Sequence, residues 1–142
     1  ALLTEILQKV SSAKTKKEKI DLLKEYNSQG LRSLLIINFD DSLEFLLPEG
    51  EVPFTPNDAP AGTEHTRLTQ EYRGLYRFFK GGDSSIKGMR REQLFVQLLE
   101  GLHADEANML VSACNKDLQS KYRITKAVVA EAFPQIEWGN RG

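Results

Sequence analysis

Cysteine is nearly missing from this chain. The one residue, Cys114, makes an intrachain disulfide impossible and fits a reducing compartment. It falls among Leu110, Val111 and Leu118 in a helical pattern with no base nearby, so core packing is expected and nucleophilic chemistry is not. Histidine is almost as scarce. His65 and His103 each lack a second histidine or cysteine at ligand spacing, which leaves no metal site and no cofactor to propose; both are expected to face solvent or to cap locally. No run approaches the roughly 20 apolar residues that span a bilayer, so no membrane partner is expected. Glu5 and Lys9 interrupt the first helical stretch, and Lys14, Lys16, Lys17 and Lys19 follow it, the reverse order of a secretory signal; a soluble intracellular protein is expected. Paired carboxylates, a nucleophile beside a base and a phosphate-cradling glycine loop are absent at any convincing spacing, so neither an enzyme nor a small-molecule substrate is expected. Charge of one sign is lacking too: the net is −1, which argues against binding nucleic acid by bulk attraction.

What the chain does have is helical periodicity. Its 142 residues suit a single domain, 1–142, with one core. Leu2, Leu3, Ile6, Leu7 and Val10 recur at helical spacing, and Thr15-Lys16-Lys17-Glu18 reads as a capping box opening a second helix. A third helix is expected from Ser28 through Leu31, Leu34 and Leu35. The apolar run from Leu34 to Phe39 also fits a buried strand, but no turn-flanked partner strand is near, which favours helix. Asp40 or Asp41 can cap a fourth helix through Leu43, Phe45, Leu46 and Leu47, ending at Pro48. Pro48, Pro53, Pro56 and Pro60, with Gly50 and Gly62, then impose a long loop over 48–65, with Val52 and Phe54 as possible anchors. A helix from about Thr66 to Phe79 ends at Gly81-Gly82, a helix stop. Further helices are expected over Met89–Glu100, Ala104–Leu118 and Thr125–Phe133, leaving a tail, 135–142, partly docked through Trp138. The fold class is all-α, a compact domain of about eight short helices with a long proline-rich loop.

Charge is unevenly placed. Seven acids and no Lys or Arg lie between Asp40 and Glu64, whereas seven basic residues between Arg67 and Arg91 face only Glu71 and Asp83. In a continuous helix Arg73, Arg77 and Lys80, at i, i+4 and i+7, share one face, and Lys87, Arg90 and Arg91 extend the cluster. Such spacing is also common on an ordinary solvated face. Among Tyr72, Tyr76, Phe78 and Phe79, three fall on the apolar stripe, so core packing is the assignment favoured over stacking on bases, with Phe78 the best candidate for an exception. A second basic set, Lys116, Lys121, Arg123 and Lys126, surrounds a terminal turn whose one acid is Asp117, a residue suited to fixing the loop through backbone N–H groups or to orienting Lys116 or Arg123. Thr125 is placed as an N-cap and Pro134 as a stop, so Lys121 and Arg123 sit beside a helix start, where an anion would fit.

This ending, Lys116-Asp117-Leu118, a short turn and a helix closing in Phe133-Pro134, resembles the helical N-terminal DNA-binding domain of phage-type ATP-dependent DNA ligases. The segment Leu34–Phe45 looks like a second part of that domain, and together the two stretches cover about half the chain. The same ending is similar to that of small uncharacterised proteins of large tailed phages, which implies the host cytoplasm as the location. The likeness departs at Ser120-Lys121, where such ligases carry Cys-Gly and a close backbone approach. A Lys-x-Asp-Gly motif is absent and the chain is too short for an adenylation domain, so ligation by this chain alone is excluded. The resemblance implies a non-catalytic module gripping duplex or nicked DNA through about four to six backbone phosphates, with weak sequence preference and steep salt dependence. The alternative is an adaptor for a phage or host protein, contacting it through the acidic, proline-rich loop.

Overall fold

A computed structural model describes residues 3–47, 68–83 and 85–139. The loop expected over 48–65, His65 and the expected start at Thr66 lie outside the described residues.

Helix α1 (Leu3–Ser12) buries Leu3, Ile6, Leu7 and Val10, the stripe its spacing predicts. In α2 (Lys16–Glu25) the Thr15 hydroxyl accepts from Glu18 N at 3.2 Å, while the Glu18 carboxylate accepts from Lys14 N at 3.1 Å, so the box closes one residue earlier than its pattern implies. Ser28 caps α3 (Gln29–Phe39) through Leu31 N, and the Leu34–Phe39 run is helical. These local signals act as the sequence predicts.

The expected fourth helix through Leu47 does not form. The Asp40 carboxylate takes the N–H and hydroxyl of Ser42 at 2.9 and 2.6 Å, a side-chain turn that competes with helix initiation. The chain then runs extended, with Leu43, Phe45 and Leu47 turned inward and Glu44 and Leu46 exposed, a period of two. Phe45 forms an isolated antiparallel bridge with Phe79, through Leu46 N to Phe78 O and Lys80 N to Glu44 O, both 2.9 Å.

The helix expected up to Phe79 is also different. A short α4 (Leu68–Glu71) passes into a 3₁₀ segment, Tyr72–Phe78. The bridge to Phe45 draws Phe79 into extended backbone, and the tighter coil leads into it. Gly81 then has φ +87°, and Gly82 packs so closely that a Cβ there would sit 1.9 Å from the Tyr76 carbonyl oxygen. Helices α5 (Gly88–Gly101) and α6 (Ala104–Cys114) follow; His103 caps α6 by accepting from Asp105 N at 3.1 Å. The buried Glu106 carboxylate accepts from Leu68 N, fixing the start of α4 on α6. Helix α6 stops four residues short of Leu118, then comes a 3₁₀ turn, Leu118–Ser120, and α7 (Lys126–Ala132), capped by Thr125 through Val128 N at 3.3 Å and followed by Phe133-Pro134.

Among the described residues the protein is all-α, with seven α-helices, two 3₁₀ segments and one bridge in place of any sheet. Helices α3 and α6 pack at the centre; α1 lies on α2 and α6, α5 on α6 and Tyr72–Phe78, and α2 on α7. One hydrophobic cluster joins them, including Phe45, Phe78 and Phe95, with the last two 4.9 Å apart edge to face. No helix among the described residues is long and apolar enough to cross a membrane.

Candidate nucleic-acid interface

Ten cations are expected at the interface, and the fold gives three of them other work. Arg91 is 9% exposed: its Nε donates to Arg77 O at 2.9 Å, and its terminal nitrogen donates to Asp83 O and Ile86 O at 3.2 and 2.8 Å. It is a buried clamp that ties the start of α5 to the end of the 3₁₀ segment. Arg77 folds back, Nε to Gly74 O at 2.9 Å, with its guanidinium 5.6 Å from the Phe78 ring centre. The third is Lys116. Its ammonium reaches the carbonyls of Ile37 and Asp40, at 3.0 and 2.7 Å, and caps the end of α3. Burial lowers its pKa, against the pull of Asp41 and Asp40.

Lys116 also explains why α6 ends early. Asp117 N donates to Ser112 O at 2.8 Å and Lys116 N to Ala113 O at 2.9 Å, a Schellman closure with Lys116 at φ +58° in the position glycine favours. Next to it the buried Asn38 accepts from Leu118 N at 2.9 Å and donates to Gln119 Oε1 at 3.0 Å, so a side chain of α3 caps the following 3₁₀ turn. The two stretches that carry the ligase resemblance thus meet in space. At Lys121 φ is −105°, an ordinary conformation, so the lysine in place of glycine brings no strain.

The cations that stay exposed on the 3₁₀ flank are Arg73, Lys80, Lys87 and Arg90. With about three residues per turn, Arg73 no longer shares a face with Arg77 and Lys80, so the i, i+4, i+7 alignment is lost. Arg73 instead lies 5.7 Å over the Tyr72 ring and donates to its hydroxyl at 3.2 Å; that hydroxyl bonds Gln29. Lys80 is 3.8 Å from Glu44 with both side chains well exposed, a weak pairing. Asp83, the acid of this region, is held below the usual carboxylate range by hydrogen bonds from Ser85, with Arg91 and Arg77 adding to the effect.

Between α3 and this flank runs an open groove of about 410 Å³. Ile36, Ile37, Leu43, Leu75 and Phe79 give it an apolar floor, and Arg73, Lys80 and Tyr76 stand along it. The aromatic assignment changes here: Phe78 is fully buried against Phe95, and Tyr76, 54% exposed, is the free ring. The tighter coil rotates Tyr76 off the stripe that an α-helix would have buried.

The terminal set is arranged differently. Arg123 offers an exposed side chain, but its backbone is engaged, N to Ser11 Oγ at 2.9 Å and O accepting from Lys19 Nζ at 2.7 Å. Lys126 lies 5.1 Å over Trp138, and Lys121 is exposed. Thr125 caps α7 as its position predicts, its hydroxyl accepting from Val128 N, and the exposed side chains of Lys121 and Arg123 lie in the turn before it. Arg123, Lys14 and Lys19 line a second concavity with Ser11, Ser12 and Ala13, and it shares no lining residue with the groove. The two basic sets therefore do not line one cavity.

Cys114 is buried in α6, where burial pushes its thiol far up, and His103 is a cap. Among the described residues no group of three His, Cys, Asp or Glu is placed to hold a metal. Asn38 and Lys19 were not foreseen as organising residues, and Asp40, expected to cap a helix, closes a turn on Ser42 instead; a lone amide inside the apolar Leu34–Phe39 run is the signal that could have found Asn38. The acidic, proline-rich surface expected to serve a protein partner lies outside the described residues.

These features define a helical protein with a cation-edged apolar groove. The chain belongs to a family described as "Family of unknown function (DUF6433)", whose model matches residues 6–120. No curated protein and no solved structure matches it. The matched stretch contains the whole groove and ends before Lys121, Arg123 and Lys126.

Proposed function

We propose that this protein is a non-catalytic DNA-binding module that holds backbone phosphates at Arg73, Lys80, Lys87 and Arg90. The observation that carries this is the groove edge. Arg73 and Lys80 stand exposed along one concavity, and the Arg91 clamp brings the start of α5, with exposed Lys87 and Arg90, to the end of the same 3₁₀ segment. Arg91 and Arg77 support this surface from behind instead of contacting the ligand. Lys121, Arg123 and Lys126 act as secondary contacts for a longer strand.

Four phosphate contacts make affinity modest and strongly salt-dependent, with binding falling on the order of 100-fold between about 50 and 200 mM salt. Anisotropy titrations of a labelled oligonucleotide across that range test the proposal. The joint reversal Arg73→Glu with Lys80→Glu is expected to abolish binding while the helical circular dichroism stays unchanged. Salt-independent binding, or full binding by the reversed variant, counts against it.

A further inference from the structure

We infer that the groove beside Tyr76 receives an unstacked base, so that the preferred ligand is single-stranded DNA over intact duplex; this rests on the phosphate-binding surface proposed above. A surface that reads only a duplex backbone needs cations and polar donors, because stacked, paired bases turn no apolar face toward it. This groove has more than that. Its floor is Ile36, Ile37, Leu43, Leu75 and Phe79, and the volume of this open groove, about 410 Å³, lies within the range of small-molecule clefts, about 300–1,000 Å³. Tyr76 is 54% exposed at its side, in a chain whose other described phenylalanine and tyrosine rings are buried or half-buried.

Charge complementarity selects the occupant. Arg73 and Lys80 stand along the same concavity as Tyr76, so a nucleotide can place its base over the apolar floor while its phosphates meet the cations. Apart from the two cations, the side-chain polar groups at hand are the hydroxyls of Ser33, Tyr72 and Tyr76, and that of Tyr72 is already bonded to Gln29 and Arg73. Few free polar groups mean little discrimination between bases. Stacking on Tyr76 and apolar contact with the floor then supply the preference for an unpaired strand, independent of sequence.

The positions of these side chains depend on the turn after them. Gly82 lies against the Tyr76 carbonyl, and the bridge from Phe45 to Phe79 anchors the segment on its other side. The ring is therefore presented by a fixed piece of backbone.

The test compares a labelled thymidine oligonucleotide of about 12 nucleotides with a duplex of equal length, at the same salt. The single strand is expected to bind about tenfold more tightly. Tyr76→Ala is expected to remove that advantage without altering the salt slope, and Tyr76→Phe to keep it, since the ring and not the hydroxyl does the stacking. Equal affinity for both forms, or single-strand binding untouched by Tyr76→Ala, overturns the inference and leaves the phosphate surface standing if binding still falls with salt. Absence of salt-dependent binding to either form overturns both.

Discussion

The end of the bundle where α3 meets α6 and the flank formed by Tyr72–Phe78 both carry cations and aromatic or amide side chains, yet they use them in opposite ways. At the first, Lys116 and Asn38 are turned inward and spend their donors and acceptors on backbone carbonyls and N–H groups of another element. At the second, Arg91 donates to carbonyls of the neighbouring segment and Arg77 to one within its own, while Arg73, Lys80 and Tyr76 are exposed along a groove. A basic residue near a helix end is thus either a cap or an exposed charge. Which one it becomes depends on whether an orphan carbonyl lies within its reach.

The contrast can be broken at several points. The largest effect is expected from Asn38→Leu, which strands the buried Leu118 N–H and loses the bond to Gln119; a loss of about 3 kcal/mol in urea unfolding would mark the α3–α6 joint as structural. On the flank, Gly82→Ala must open the turn, because the new methyl meets a backbone carbonyl; about 2–3 kcal/mol is expected, together with weaker oligonucleotide binding. Lys116→Ala is expected to cost about 2 kcal/mol by freeing the α3 carbonyls, and Lys116→Gly about 1 kcal/mol less because glycine accepts the left-handed backbone. Arg73→Ala with Lys80→Ala should leave the unfolding midpoint where it is and reduce the salt slope of DNA binding by about 2. The smallest effect is expected at Cys114: a thiol reagent at neutral pH should label the folded protein negligibly and the urea-unfolded protein fully, since burial raises the thiol's pKa only in the fold.

Local chemistry was readable in the sequence. Thr15, Ser28 and Thr125 cap helices because each needs only an N–H three residues ahead, and the apolar stripe of α1 needs only its own spacing. The extended Leu43–Leu47 stretch and the 3₁₀ coil from Tyr72 were not readable, since each takes its shape from pairing with the other across more than 30 residues of chain. Phe78 and Tyr76 exchanged roles for that reason: one step in helical period moves a ring from solvent to core. Arg91 and Lys116 looked like surface charges because nothing in their neighbourhoods announces the carbonyls they reach, which for Lys116 lie 79 and 76 residues away.

The pairing of α2 with α7 sets a condition on how the protein forms during synthesis. Lys16 meets Glu131, and Lys19 meets the carbonyl of Arg123, so these partners of α2 leave the ribosome 115 and 104 residues after it. Until α7 has emerged, Leu23 and its neighbours on α2 lack part of their cover. These contacts are therefore long-range in sequence, and α2 reaches its final packing only after α7 has been translated.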